Sequence, residues 1–232
     1  MKSSNQLKVI TLNLPPLDKS HFQLGSSGLT DQTRSQRAIT AISDQNPDII
    51  FFIEEYGPLF AEIATQLRGQ YYFIYPQDFQ PSVRAFAGVV AAVKSSIKLQ
   101  AQLDGHYFKI NQTAKILGLQ IADDWFIGVH YPQPAQVRDF DQKFKDSIRK
   151  LKPKLIVGDF NPVRGAKSAI KLYDDLLKPV SVTSLFHSKL DFVFIPEAEV
   201  PSQRLVFDHA LMDPNSQLFL SDHALTGAIL SP

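Results

Sequence analysis

Short apolar runs alternate with polar punctuation along this chain, and most runs stop on a residue able to carry chemistry. Leu7–Leu12 closes at Asn13, and Asp48–Ile53 (DIIFFI) closes at Glu54 and Glu55. Phe86–Val93, Ile116–Ile121, Trp125–Val129, Leu155–Val157, Leu190–Ile195 and Ala224–Leu230 follow. Runs this short, rich in β-branched residues and bounded by polar or turn residues, predict strands. Elsewhere apolar residues recur every three or four positions, which predicts amphipathic helices. One covers Asp31–Asp44, with Ile39 and Ile42 inward and Arg34 and Arg37 on its exposed face. The next covers Leu59–Arg68, with Leu59, Ile63 and Leu67 on one side. A third covers Ala135–Leu151 through Val137, Phe140, Phe144, Ile148 and Leu151, and a fourth is predicted over Ala166–Leu177. Pro47, Pro132, Pro134 and Pro153 fall between elements. Strands outnumber helices, and the junction from Ala92 to Leu103 reads as a hairpin, so the sheets of this α/β chain should be mixed rather than purely parallel.

Composition narrows the chemistry by exclusion. The 232 residues, 44% hydrophobic, can bury a sizeable core, and no repeat or Pro/Gly/Ser-rich linker divides them, so residues 1–232 read as a single domain. A net charge of +1 gives no bulk attraction to nucleic acid or membrane. With no cysteine, disulfides, thiolate nucleophiles and Cys-ligated zinc or iron–sulfur sites are excluded. The apolar stretch in MKSSNQLKVITLNLPP is too short for a signal-peptide core. No run approaches the ~18 apolar residues that span a bilayer. The expectation is a soluble, cytoplasmic monomer.

The polar residues at the strand ends are the informative ones. Asn13, Glu54, His130, Asp159 and Asn161 follow apolar runs, Asp191 sits inside one (LDFVFI), and Asp222 and His223 precede the last. Singly, each has an ordinary explanation: a strand cap, an Asx turn at Asp159-x-Asn161, a surface loop at Ser221-Asp222-His223. Asp191 resists it most, because a carboxylate in an apolar strand needs a partner. If the ends converge, carboxylates, imidazoles and carboxamides share a cleft. Oxygen donors select hard cations such as Mg²⁺, Mn²⁺ or Ca²⁺, and such a cation polarises a phosphoryl oxygen. Imidazoles move protons near neutral pH, and carboxamides donate to a developing oxyanion without adding charge. There is no G-x-S-x-G elbow, no Walker A loop and no G-x-G-x-x-G. Metal-assisted attack of water on a phosphate ester fits this set.

The phrases LKVITLN, PDIIFFIEE, LIVGDFN, KLDFVFIP and LSDH occur in an order that resembles the endonuclease/exonuclease/phosphatase superfamily, with the deoxyribonuclease-I-like fold. The resemblance runs from Leu7 to about Leu230, and GDFN with SDH carries most of its specificity. It implies a four-layered α/β sandwich, two mixed β-sheets packed face to face with helices outside. It implies a metal held by Glu54, with Asn13 and Asp222 supporting the metal site, and makes Glu55 the lesser candidate. Asp159 would orient or activate water, Asn161 would contact the phosphate, and His223 would bond the scissile phosphate or act as base, oriented by Asp191. His130 would assist the leaving group. Three positions depart from the pattern. Ile53 stands where the family often has Gln, Pro15 where the abasic-site endonucleases have an acidic residue, and His130 where those have Tyr. The resemblance thus leads away from abasic-site repair and toward the His-bearing branch of nucleases, inositol polyphosphate phosphatases, sphingomyelinases and deadenylases.

The expected activity is that of a Mg²⁺-dependent (or Mn²⁺-dependent) hydrolase of phosphate esters, a phosphodiesterase or nuclease acting on DNA or RNA. The alternatives are a phosphomonoesterase on an inositol-phosphate-like or other small substrate and a sphingomyelinase-like lipid phosphodiesterase; a catalytically dead binding domain ranks below them, since the full motif set is present. Substrate contacts are expected in the loops 15–30, 76–85, 131–138 and 162–167, with Arg84, Arg164 and Lys167 as phosphate-pairing candidates. Phe79, Phe86 and Tyr131 lie near these loops, placed either to stack on bases or to pack in the core.

Overall fold

A computed structural model describes residues 6–15, 29–54, 57–76, 88–103, 109–110, 113–132, 138–161, 170, 172–184, 188–208 and 221–231. Arg84, Arg164, Lys167, Glu55, Phe79 and Phe86 lie outside the described residues, as do most of the proposed substrate loops.

The strands are β1 (Leu7–Asn13), β2 (Ile49–Ile53), β3 (Tyr71–Ile74), β4 (Val89–Lys94), β5 (Leu99–Leu103), β6 (Lys109–Ile110), β7 (Thr113–Ala114), β8 (Ile116–Ile121), β9 (Asp124–His130), β10 (Leu155–Asp159), β11 (Tyr173–Asp175), β12 (Asp191–Pro196), β13 (Arg204–Asp208) and β14 (Leu225–Leu230). The helices are α1 (Asp31–Gln45), α2 (Gly57–Gln66) and α3 (Arg138–Leu151). One six-stranded sheet runs β13-β14-β1-β2-β4-β3 and the other β11-β12-β10-β9-β8-β5. Each is antiparallel except at its centre, where β1 pairs with β2, and β9 with β10, in parallel. A parallel pair needs a crossover, and α1 and α3 are those crossovers.

The central strands read as unbroken apolar runs because both their faces are buried. Along β2, Ile49, Phe51 and Ile53 enter the core between the sheets, while Ile50 and Phe52 face α1 and α2 with Ala38, Ile42, Leu59 and Ile63. On the far side, Ile127, Ile156 and Phe194 of the second sheet pack under Phe140, Phe144 and Ile148 of α3. The order α1/α2, sheet, sheet, α3 is the expected four-layered sandwich with mixed sheets. Among the described residues no helix is long and apolar enough to cross a membrane.

Three expectations are corrected. Arg34 is 2% exposed rather than solvated: its guanidinium turns under α1, where it donates to the Pro15 carbonyl (2.8 Å) and pairs with Asp31 (3.7 Å). The described part of 166–177 holds strand β11, whose edge pairing with β12 outcompetes the helical spacing. β4 and β5 form no hairpin; the chain leaves one sheet after Lys94 and joins the other, where β5 pairs with β8. Tyr131 belongs to the core: it is fully buried, its hydroxyl donates to Asp141 of α3, and its ring packs on Phe140, Phe144 and Phe160.

Candidate active site

Topology alone brings the strand-end residues to one edge of the sandwich. Asn13 ends β1 and Glu54 follows β2, its parallel neighbour, with Asn13 opposite Ile53. His130 ends β9 and Asp159 ends β10, in register with each other. β12 and β14 run antiparallel to these strands, so their first residues lie at the same edge: Asp191 opens β12 directly opposite Asp159, and Asp222 and His223 precede β14. The two sheets thus each contribute half of one cluster.

Local geometry aims the groups. Gly158 adopts φ +140°, and a Cβ there would stand 2.0 Å from the Val129 carbonyl, so only glycine lets β10 lie this close to β9 one residue before Asp159. Asp159 Oδ1 accepts the Asn161 N–H (2.7 Å), an Asx turn that coexists with the proposed chemistry, and Asn161 Nδ2 donates to the Tyr131 carbonyl (2.7 Å). Asn161 (φ 49°) and Glu54 (φ 51°) both adopt the left-handed conformation, which a glutamate rarely takes. The Glu54 N–H is held by the Gly88 carbonyl at 3.1 Å. Ser221 Oγ donates to the Asn13 carbonyl (2.5 Å) and accepts the His223 N–H (3.0 Å), tying the two ends of the chain together.

Two histidine–carboxylate pairs flank Asp159. His223 Nδ1 lies 2.9 Å from Asp191 Oδ2, which leaves Nε2 facing Asp159 Oδ2 and Asp222 Oδ2, each at 4.0 Å. His130 Nε2 lies 3.1 Å from Glu54 Oε1. Ligand atoms of Glu54, His130 and Asp159 fall within 4.8 Å of one another. All eight sequence candidates at the strand ends (Asn13, Glu54, His130, Asp159, Asn161, Asp191, Asp222 and His223) therefore belong to one cluster, and all but the partly exposed Glu54 are buried.

The electrostatics are those of crowded, dehydrated charge. Burial, offset by His223 and His130 and reinforced by Asp191 and Glu54, pushes Asp159 up to about 6. Burial likewise raises Asp222. Burial opposes charge on His223, but Asp191, by charge and hydrogen bond, with Asp159 and Asp222, raises it well above the ordinary histidine value. Burial would raise Glu54 too; His130, His223 and Lys115 outweigh it and hold Glu54 at about 2.

The donor set fits a hard cation. Among the described residues, both side-chain atoms of Asn13, and Oδ1 of Asp222, are buried with no hydrogen-bond partner. Buried polar atoms rarely go unsatisfied, and two of these, Asn13 Oδ1 and Asp222 Oδ1, are oxygens, the donor type that hard cations take.

Two residues escaped the sequence reading. Thr183 Oγ1 accepts the N–H groups of Leu190 and Asp191 (3.0 Å each), and its carbonyl accepts from Ala224 (2.9 Å), so it fixes both members of the His223–Asp191 pair. Nothing in its sequence neighbourhood signals this. Lys115 is 8% exposed, with Nζ 3.3 Å from His130 Nδ1. It lies just outside the apolar run Ile116–Ile121, and that pattern does not point to it.

No protein-family model and no curated protein matches the chain. Solved structures do. One is an endonuclease/exonuclease/phosphatase from Bacteroides vulgatus, 15% identical, with TM-score 0.64 over 98% of this chain and 99% of that one. Another is D. rerio TDP2 complexed with a single-strand DNA product, 14% identical, with TM-score 0.66 over 97% and 99%. A third is the human Nocturnin catalytic domain with a bound sulfate anion, 14% identical, with TM-score 0.64 over 98% and 95%. At these identities the likeness establishes the fold.

Proposed function

We propose that this chain, which has the fold of the endonuclease/exonuclease/phosphatase superfamily, is a divalent-metal-dependent phosphoesterase whose preferred substrates are phosphodiesters of nucleic acid. The observation that carries the reading is the single cluster in which two His–carboxylate pairs flank a buried Asp159 while Asn13 and Asp222 each keep an oxygen with no partner among the described residues. Glu54, Asn13 and Asp222 would hold the ion, with Asp159 in reach. When bound, a hard cation polarises the phosphoryl oxygen and neutralises the charge that grows there.

The chain's own groups do the rest. Asp159, ionised above pH 6, orients water through Oδ2 and takes its proton; Oδ1 is already committed to the Asn161 N–H. The 4.0 Å from Asp159 Oδ2 to His223 Nε2 exceeds a hydrogen bond and is the width that one bridging oxygen fills. His223, kept protonated by Asp191, donates from Nε2 to a phosphoryl oxygen. Asn161 also faces the phosphate, and His130, with Nε2 against Glu54 Oε1 and Nδ1 against Lys115, acts through the Glu54 carboxylate rather than on the leaving oxygen. The preference for nucleic acid is supported by the DNA-bound D. rerio TDP2 of the same fold.

The test is hydrolysis by purified protein with Mg²⁺ or Mn²⁺ of plasmid DNA, single-stranded DNA, RNA, bis-nitrophenyl phosphate, inositol phosphates and sphingomyelin. Cleavage of polynucleotide, abolished by EDTA and by Asp159→Ala, is expected. Hydrolysis of inositol phosphates or sphingomyelin alone would remove the nucleic-acid assignment, and activity surviving both controls would remove the mechanism.

A further inference from the structure

Lys115 immediately precedes β8, and its carbonyl accepts the His130 N–H at 2.9 Å, so backbone pairing fixes the two residues side by side. Lys115 is almost fully buried, and its Nζ lies 3.3 Å from His130 Nδ1, while the other ring nitrogen, Nε2, lies 3.1 Å from Glu54 Oε1. An ammonium group has hydrogens to give and no lone pair to accept with. Facing it, Nδ1 must be the acceptor. The neutral imidazole is then confined to the tautomer that carries its hydrogen on Nε2, which donates to Glu54 Oε1. We propose that Lys115 is a positioning residue, locking His130 in the Nε2–H tautomer so that the ring holds the Glu54 carboxylate in place for a divalent cation.

The chain Lys115–His130–Glu54 does for a carboxylate ligand what a hydrogen-bonded carboxylate does for a ligating histidine: it sets the orientation of a group that must meet the ion. It also divides the histidines. His223 has a carboxylate behind Nδ1 and is built to carry charge; His130 has a cation behind Nδ1 and is built to present a fixed N–H. Nothing in the residue pattern of the strand ends shows this difference.

The inference rests on the metal-dependent reading above, and its test separates the two. Long-range ¹H–¹⁵N spectra of metal-free protein, at a pH where His130 is neutral, should show hydrogen on Nε2 and a bare Nδ1. In Lys115→Met the ring should populate both tautomers, and Mn²⁺ affinity measured by calorimetry should fall about tenfold to a hundredfold. Lys115→Arg, again a pure donor, should restore the single tautomer and most of the affinity. A Nδ1–H tautomer in the unsubstituted protein would overturn the proposal, as would Lys115→Met with unchanged tautomer and affinity. Should Lys115→Met fail to fold, the unsubstituted spectrum and Lys115→Arg decide. If the unsubstituted protein binds no Mn²⁺, the phosphoesterase reading fails, while the tautomer still judges the Lys115–His130 contact.

Discussion

His223 and Asp159 sit in the same buried cluster and are pushed in ways that suit different tasks. Asp191 keeps His223 charged; Asp191→Asn retains shape and a hydrogen-bonding group but removes that charge. The His223 pKa should then fall, and because the proposed role needs its proton, the alkaline limb of the rate profile should move to lower pH. Loss of kcat should be about 100-fold or more, read from pH–rate curves of the two proteins. Asp159 gives a second prediction. Its folded pKa, about 6, lies above its ordinary 3.8, so the stability it lends the metal-free protein is complete below pH 4 and is lost as pH rises through 6, on the order of 3 kcal/mol. His223, also raised, works in the same sense: its contribution is present below pH 6.5 and is lost above its raised value. Glu54 runs the other way, stabilising above pH 4.5 and losing that contribution as pH falls toward 2. A divalent ion competes with the proton on Asp159, so the rise in Tm on adding Mn²⁺ should be larger at pH 8 than at pH 5. Equal increments would contradict the placement of Asp159 beside the ion.

The strand ends show what one residue of backbone can control. Gly158→Ala would put a methyl group against the Val129 carbonyl and force φ +140° on a residue that avoids it. Stability should drop by roughly 2–4 kcal/mol, with a Tm lower by about 6–12 °C for a chain of this size. An unchanged Tm would show that β10 relaxes freely. Among the elements, those mostly buried on both faces were legible in the sequence: β1, β2, β9, β10 and β12 are predominantly apolar, and β1, β9, β10 and β12 end or begin on a candidate site residue while Glu54 directly follows β2. Edge elements were not. β11 (YDD) carries no apolar run, the short runs of β3 (YYFI) and β13 (RLVFD) lie on partly exposed strands, and the 166–177 stretch was read as helical though Leu172 lies 79% exposed beside β11. The β4–β5 junction misled because local spacing cannot say whether a turn returns to the same sheet or crosses to the other. At the site, groups placed at strand ends could be read in advance, whereas Lys115 and Thr183 act through register and tertiary contact, which a linear pattern does not contain.

The molecule as a whole is two sheets sharing one core, and the cluster is divided between them: Asn13, Glu54, Asp222 and His223 come from one, His130, Asp159, Asn161 and Asp191 from the other. Phe51 sits at that junction, fully buried, with its ring filling the space over Gly128 of β9. Phe51→Ala should cost about 3–5 kcal/mol. Because the core is shared, near-ultraviolet dichroism and Mn²⁺ binding should be lost in one transition rather than two. The claim on which the rest depends is that both halves deliver oxygen atoms to one ion. Anomalous diffraction from crystals soaked in Mn²⁺ tests it directly. The account predicts a peak about 2.1 Å from a Glu54 carboxylate oxygen, bordered by Asn13 and Asp222 and absent in Glu54→Gln. A peak elsewhere, or none at saturating Mn²⁺, would contradict it.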